Sequence, residues 1–267
     1  MDKIMPDLSP KLAKKNSYCL MLPHYNHHQQ LTLFLPKILS AQLPCIIIDD
    51  GSDLHSLNAL KKILTDLPSV YLYEHGHNRG KGAAIKTGIC HARARGFTHA
   101  IQIDADGQHN VNDIASFIRL SQQHPDSIIC GKPIYDVSVP KARLYGRKVT
   151  DFWVMLETLS LRIKDSLCGF RVYPIKSTET VFDHYYIGNR MDVDTEVLVK
   201  ACWLSIDLKF IDTLVIYPEK NISHFHYLRD NLLLIRLHGR LMMGMLIRLP
   251  KLLLAAVKRI PKQSTHY

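Results

Sequence analysis

The sequence lacks any long apolar run: none of its segments reaches the roughly 18 uninterrupted apolar residues that a bilayer-spanning helix needs. Residues 1–17 are polar and contain neither the apolar stretch nor the small-residue cleavage site of a secretory signal. The six cysteines are scattered and form no Cys-x-x-Cys pair, which argues against a zinc ribbon or a disulfide framework. We therefore expect a cytoplasmic protein with reduced thiols.

Acidic residues are also scarce relative to basic ones, and the formal net charge is +10. Such an excess attracts polyanions, which include nucleic acids, anionic lipids and phosphorylated substrates. A basic, non-enzymatic nucleic-acid-binding protein is one alternative. The cations are not interleaved with aromatic residues in a recognisable module, and the carboxylates at the strand ends would repel phosphates without a metal. We expect no nucleic-acid partner.

Short apolar runs alternate with segments of helical periodicity. The runs cover residues 18–22, 45–48, 70–73, 100–103 and 128–130. This alternation predicts an α/β fold, with a mostly parallel sheet flanked by helices. In such sheets, ligands bind at the carboxyl ends of the strands.

After Lys132 the pattern is less regular. It predicts helices over residues 141–163, 194–203 and 227–259, the last interrupted at Pro250. Strands are expected within 167–173 and over 208–217. We expect one domain over residues 1–226, with a first half at 17–132 and a second at 133–226. An amphipathic basic helical tail would then cover residues 227–267.

Two aspartates, Asp104 and Asp106, follow the fourth apolar run. Side chains i and i+2 point the same way in an extended chain, so the two carboxylates can converge on one hard cation. Mg²⁺ and Mn²⁺ prefer such oxygen ligands, and Gln108 adds a carbonyl oxygen at the next same-side position. Taken alone, the segment is equally compatible with a plain acidic turn.

Two further polar segments follow the second and third runs. Asp50 in the segment Asp-Asp-Gly-Ser could accept hydrogen bonds from a base or a ribose, or could lie in a simple strand-to-helix connection. The segment Asn-Arg-Gly-Lys-Gly at 78–82 combines cations with glycines that let a ligand approach the backbone. Paired carboxylates and a parallel sheet would also suit a nucleotidyltransferase.

In their order, the segments 22–26 (Leu-Pro-His-Tyr-Asn), 49–52, 78–82 and 104–109 resemble the motifs of family-2 glycosyltransferases. Polyprenyl-phosphate (dolichyl-phosphate) mannosyltransferases are the most similar type, and 165–171 extends the likeness. Segments 189–196, 215–219 and 223–231 are similar to glycosyltransferases of aryl-polyene or lipid-linked pigment clusters. The resemblance implies a GT-A fold, a UDP- or GDP-linked sugar donor and inversion at the anomeric carbon.

The resemblance also implies roles for individual residues. Those expected to bind the nucleotide sugar are Pro23, Tyr25, Asn26, Asp50, Arg79, Gly80, Lys81, Asp104, Ala105 and Asp106. Asp104, Asp106 and Gln108 would hold Mg²⁺ or Mn²⁺ on the pyrophosphate. The chain departs from the family at His27, where an acid is common, and at 131–133, where Gly-Lys-Pro replaces Gly-Ser-Arg.

A hydroxyl acceptor would need a carboxylate base. We expect Asp194, with Asp192 and Glu196 as alternatives. In a strand all three would face one side, whereas in a helix Asp192 and Glu196 share a face that Asp194 does not.

A phosphate acceptor would need no base, and Arg147 and Arg171 would then be its partners. Of the fifteen histidines, only His109 is retained as a site residue, and most of the others are expected in loops or at the surface.

The tail mixes long apolar residues with arginine and lysine. Charges inside a membrane span are costly, so this pattern favours a helix lying in the membrane interface. We expect a lipid or lipid-linked acceptor and a peripheral protein on the cytoplasmic face of the inner membrane. The alternative is a helix packed on its own domain or on a second subunit.

Overall fold

The computed structural model describes residues 16–135, 139, 141–215 and 227–258. The strands in these ranges are β1 (Tyr18–His24), β2 (Cys45–Asp49), β3 (Val70–Glu74), β4 (His99–Gln102), β5 (Ile128–Tyr135), β6 (Arg171–Pro174) and β7 (Leu208–Val215). The helices are α1 (His28–Leu39), α2 (Leu54–Leu64), α3 (Lys81–Ala94), α4 (Ile114–Gln123), α5 (Lys141–Thr158), α6 (Ile175–His184), α7 (Val193–Trp203) and α8 (Tyr227–Lys258).

All seven strands form one sheet in the order β3-β2-β1-β4-β6-β5-β7. The first four neighbours are parallel, β6 is antiparallel to β4 and β5, and β5 pairs in parallel with β7. The predicted α/β fold with a mostly parallel sheet is therefore confirmed. The chain runs outward from β1 to β3 and returns to β4 on the other side of β1. This change of direction opens a crevice at the carboxyl ends of β1 and β4.

Both faces of the sheet are buried, as the continuous apolar strands require. Met21, Ile46 and Ile48 pack with α3 in one cluster, whereas Leu20 and Ile47 pack with α1 in another. Helix α3 approaches the sheet closely through Gly88. A Cβ added at Gly88 would lie 2.4 Å from the Met21 Sδ and 2.8 Å from the Ile48 Cδ1.

The second half differs from the sequence prediction in three places. Helix α5 ends at Thr158 instead of 163. Helix α6 was not predicted. Its buried apolar face is formed by only Ile175 and Val181, and the β-branched threonines between them have a low helix propensity. Helix α8 continues through Pro250, where a break was expected. Tertiary packing explains this, since Met245 and Leu252 are both buried on either side of the proline.

Helix α8 packs on the rest of the molecule through one face. A third apolar cluster consists of Val154, Val199, Trp203, Leu237, Leu241, Met245 and Leu252, from α5, α7 and α8. The buried Glu157 carboxylate pairs with the His238 Nδ1 at 2.7 Å. The described part of the predicted tail is thus docked on its own chain. Within the described ranges, no helix is both long and apolar enough to cross a bilayer.

Two glycine substitutions test the packing of α3. We expect Gly88→Ala to lower the free energy of unfolding by about 1–3 kcal/mol, because the added methyl group overlaps Met21 in a filled core. Gly146→Ala is the matched control: it lies on α5 with no atom within 4 Å of the added Cβ, and should raise the same free energy by up to about 1 kcal/mol. Urea unfolding measures both, and shifts of the same sign would contradict the close approach of α3.

Candidate active site

The predicted site residues gather at the carboxyl ends of β1, β2 and β4 and at the start of α3. Asp50 follows β2, Lys81 begins α3, and Asp104 follows β4 by two residues. Asp194 comes from the first turn of α7, in the other half of the chain. The topology therefore brings together side chains that are more than a hundred residues apart in sequence.

The Asp50 carboxylate is buried and fixes the turn before α3. It accepts hydrogen bonds from the Arg79 N–H at 3.0 Å, the Gly80 N–H at 2.7 Å and the His75 ring at 2.7 Å. Gly80 has φ +101°, a conformation that strongly favours glycine. Both oxygens of Asp50 are thus used by the protein in this structure. Its expected contact with a nucleoside stays a prediction.

Asp49 forms a second buried pair, with His24. The His24 Nδ1 lies 2.8 Å from the Asp49 carboxylate, which also accepts a hydrogen bond from the Ser52 N–H at 3.0 Å. Burial alone would raise the pKa of Asp49, but these hydrogen bonds hold it below its ordinary value. Most histidines were expected in loops or at the surface, but His24 lies buried at the end of β1 and His75 is buried in the loop after β3. The two consecutive aspartates at the end of β2 were the signal that buried partners exist.

Asn26 ties the turn after β1 to the turn after β2. Its N–H donates to the Ser52 Oγ at 2.9 Å, and its side-chain oxygen accepts from the Asp53 N–H at 2.9 Å. Pro23 and Tyr25 flank the same turn and are partly exposed. The expected nucleoside-binding residues thus line one edge of the crevice.

Lys81 bridges Asp104 and Asp194 at the centre of the site. Its Nζ lies 2.9 Å from the Asp104 carboxylate and 2.8 Å from that of Asp194. Burial alone would lower the pKa of Lys81, but the two carboxylates raise it well above its ordinary value, so the ammonium stays protonated.

Asp104 and Asp106 influence each other as neighbouring charges do. Burial and the Asp104 charge raise the pKa of the Asp106 carboxyl. Asp104 titrates in the opposite direction, because Lys81 and His109 outweigh its burial and lower its pKa. Ala105 between them is buried, and the Gln108 N–H donates to Asp106 at 3.1 Å. The two carboxylates therefore interact electrostatically within one partly buried turn.

Gly169 leaves room for the first of these carboxylates. A Cβ at position 169 would lie 2.1 Å from the Asp104 Oδ2. Any larger residue at position 169 would therefore displace the Asp104 carboxylate.

Several buried polar atoms at the site have no hydrogen-bond partner among the described residues. They are the Gln102 Oε1, the His109 Nδ1 and the Asp194 Oδ1. Oxygen-rich donors with spare lone pairs beside paired carboxylates fit a hard divalent cation. No group of three or more His, Cys, Asp or Glu in the described ranges could hold a metal alone. A cation bound here would complete its coordination with other oxygen ligands, such as Gln108, water or a phosphate.

Arg171 is a structural residue, contrary to its predicted contact with an acceptor phosphate. Its guanidinium is fully buried and donates to the carbonyl oxygens of Ser166 at 2.8 Å, Cys168 at 2.9 Å and Asp194 at 2.7 Å. Arg147 is partly exposed and forms an ion pair with Asp165. Its contact with a phosphate stays a prediction.

The three carboxylates of the α7 segment face two directions. Asp194 points to Lys81, whereas Asp192 and Glu196 share the other side, where both approach Arg240. The sequence predicted this arrangement for a helix, in which Asp192 and Glu196 share a face that Asp194 does not. Glu196 is fully buried and accepts a hydrogen bond from the Gly188 N–H at 2.6 Å. Of the three candidate bases, only Asp194 faces the Lys81 cluster.

His109 lies buried beside the two aspartates and 5.4 Å from the Phe170 ring centroid. Burial lowers its pKa, against the attraction of Asp104 and Asp106. Its expected role at an acceptor phosphate stays a prediction. Residues 216–219 and 223–226, which belong to the later resemblance segments, are outside the described ranges.

Comparison with known proteins identifies the family. Residues 19–180 match the model of glycosyl transferase family 2. The chain belongs to this family. It is 27% identical over 210 residues to the dolichyl-phosphate beta-glucosyltransferase of Dictyostelium discoideum, covering 71% of this chain and 63% of that protein. It is 26% identical over 160 residues to the polyprenol monophosphomannose synthase of Mycolicibacterium smegmatis, covering 58% of this chain and 60% of that protein. The chain thus spans less than two thirds of these relatives.

A solved enzyme structure shares the fold. The glucosyl-3-phosphoglycerate synthase of Mycobacterium tuberculosis, in complex with Mn²⁺, UDP-glucose and phosphoglyceric acid, superposes with a TM-score of 0.58. It is 11% identical and covers 86% of this chain and 79% of that one. The expected GT-A fold is therefore confirmed. The similarity to enzymes of aryl-polyene clusters stays a prediction.

Substituting Asp50 tests the turn that opens α3. Asp50→Asn replaces one accepting oxygen by an amide that cannot accept, so we expect the free energy of unfolding to fall by about 1–3 kcal/mol. Asp53→Asn is the control, because Asp53 caps α2 by accepting from the Ser56 N–H at 2.7 Å and asparagine caps equally well. Urea unfolding measures both variants. An equal loss of unfolding free energy in the two would show that the hydrogen bonds of Asp50 make no specific contribution to stability.

Proposed function

We propose that the protein transfers a sugar from a nucleotide-diphosphate sugar to a lipid phosphate or another membrane-associated acceptor, with inversion and with the help of a divalent cation. The observation that carries this proposal is the cluster of Lys81, Asp104 and Asp106 at the crevice of a GT-A sheet. Family membership supports sugar transfer. The names of the relatives, which refer to dolichyl phosphate and polyprenol, support the acceptor class.

The donor diphosphate would lie at the start of α3. The first turn of a helix presents free N–H groups and the positive end of the helix dipole, both of which attract phosphate. Lys81 adds a full positive charge at this point. Pro23, Tyr25 and Asn26 line the edge of the crevice where the nucleoside would bind.

Asp104, Asp106 and Gln108 would hold Mg²⁺ or Mn²⁺ on the diphosphate. The related synthase was crystallised with Mn²⁺ and a UDP-sugar, which supports a cation in this fold. A bound cation would neutralise the diphosphate as it leaves the sugar. The Lys81 ammonium, which pairs with Asp104, would also offset the negative charge of the leaving diphosphate.

The acceptor would approach from the side of α5 and α7. A lipid phosphate is already an anion and needs no base, and the partly exposed Arg147 would then be its cationic partner. A hydroxyl acceptor would need to lose a proton, and Asp194, the candidate that faces Lys81, would accept it.

We also propose that the exposed face of α8 binds the membrane surface. Its exposed apolar residues recur at helical spacing and are Leu232, Ile235, Met243, Leu246, Ile247, Leu253 and Leu254. Between residues 16 and 132, by contrast, only Leu33 and Leu54 are large exposed apolar residues. Apolar residues facing outward on a basic chain fit an anionic lipid interface. The protein would then act peripherally on the cytoplasmic face of the inner membrane.

The cation dependence is tested with Asp106→Asn. We expect the release of nucleotide from UDP- or GDP-sugars, measured with Mn²⁺ or Mg²⁺ and a polyprenyl phosphate acceptor, to fall by about 100-fold or more. Asp66→Asn, at an exposed position away from the site, should leave the rate unchanged. Unchanged turnover in Asp106→Asn would remove this carboxylate from the mechanism. Release of pyrophosphate from a nucleoside triphosphate would point instead to a nucleotidyltransferase.

Membrane binding is tested with Ile247→Glu on α8. Ile247 is 76% exposed, so the substitution should leave the fold intact while placing a carboxylate in the proposed lipid-facing surface. We expect binding to phosphatidylglycerol vesicles to weaken by about tenfold or more. Leu33→Glu, at a position 77% exposed on α1, is the control and should bind as the wild type does. Equal flotation of all three proteins would argue against this surface.

A further inference from the structure

Arg240 connects α8 to two buried carboxylates of the α7 segment. Its guanidinium lies 3.0 Å from the Glu196 carboxylate and 3.5 Å from that of Asp192. The Arg240 side chain is 48% exposed, whereas those of Glu196 and Asp192 are 0% and 8% exposed. An exposed helix thus supplies a countercharge to a buried acidic pair. Lys200 is the other cation at Glu196, at 2.6 Å.

These two carboxylates hold the loop formed by residues 188–190. Glu196 accepts a hydrogen bond from the Gly188 N–H at 2.6 Å, and Asp192 accepts one from the Arg190 N–H at 3.1 Å. A Cβ added at Gly188 would lie 2.0 Å from the Asp192 Oδ2. The loop therefore follows the carboxylates closely, and a shift of either one would displace its backbone.

The same loop packs directly on the start of α3. The Asn189 carbonyl accepts a hydrogen bond from the Ala83 N–H at 3.1 Å. A Cβ at Gly80 would lie 2.3 Å from the Asn189 oxygen, and one at Gly82 would lie 2.3 Å from the Gly188 oxygen. The Arg190 guanidinium also donates to the Asn78 side chain at 2.6 Å. The segment 78–82, which opens the proposed donor site, thus rests on this loop.

We propose that Arg240 is a positioning residue for the donor site, acting through Asp192, Glu196 and the loop 188–190 on the start of α3. The contacts form a continuous path from the lipid-facing helix to Lys81. Without the guanidinium, the two buried carboxylates would keep Lys200 at Glu196 and Lys86, which interacts with both at longer range, and their repulsion would be less compensated and would move the loop. The seating of α8 and the binding of the donor would then be coupled. This inference rests on the proposed function of the site.

An ordinary surface ion pair would have no such effect. Exposed pairs contribute about 0–1 kcal/mol, largely because water screens both charges. Here both acidic partners are buried, and each also holds a backbone N–H of the loop. Removing one partner of a buried pair leaves an uncompensated charge, and its cost is much larger.

The test measures nucleotide affinity in the full chain without lipid, so that membrane binding does not enter. UDP and GDP are titrated with Mn²⁺ by calorimetry into the wild type, Arg240→Met and Arg236→Met. We expect the Kd of the bound nucleotide to rise at least about tenfold in Arg240→Met. Arg236→Met is the matched control: it removes the same charge from an exposed position of α8 that makes no hydrogen bond or ion pair with the described residues, and its Kd should stay within about twofold of wild type.

Further variants separate positioning from loss of stability. Arg240→Lys keeps the charge and should restore part of the affinity, and Arg240→Gln replaces Arg240→Met if thermal unfolding shows that the latter is unfolded. In steady-state assays the donor KM should rise while the acceptor KM stays constant. Combining Arg240→Met with Glu196→Gln should cost less affinity than the sum of the single changes, because both act on one path.

The two proposals fail in different ways. Wild-type affinity in both Arg240→Met and Arg240→Gln would overturn the positioning role while leaving the proposed function intact. Additive losses in the double variant would also overturn the path through Glu196. Absence of UDP and GDP binding in the wild type would overturn the proposed function itself, and the positioning role with it.

Discussion

The ion pairs of Lys81 with Asp104 and Asp194 join the two halves of the molecule at the site. Asp104 follows a strand of the first half, whereas Asp194 lies on a helix of the second. A lysine ammonium can remain charged in so enclosed a position only because two carboxylates surround it. The start of α3, the acidic turn after β4 and the first turn of α7 are therefore held in fixed relation by charge.

Close backbone approach supports this arrangement of charges. Gly80 and Gly82 pack against the loop 188–190, and Gly169 leaves room for Asp104. Larger residues at these positions would push the charged groups apart. The glycines are thus as necessary to the site as its carboxylates, since the ion pairs depend on distances of about 3 Å.

Helix α8 has one buried and one exposed set of apolar residues. Leu237 and Leu241 belong to the core shared with α5 and α7, whereas residues such as Ile247 face outward. A helix that is only a detachable tail would not bury the first set, and a helix that is only part of the core would not expose the second. Arg240, at the boundary, links this helix to the carboxylates that hold the loop 188–190.

The sequence by itself determined the α/β class, the order of most strands and helices, and the acidic segments at the strand ends. These follow from local periodicity and from turn-forming residues next to the strands, both of which are readable over a few positions. Only the tertiary structure decided that Arg171 is buried, that His24 and His75 pair with consecutive aspartates, and that Asp194 rather than Glu196 faces Lys81. Each of these depends on contacts between residues distant in the chain, which no local pattern encodes.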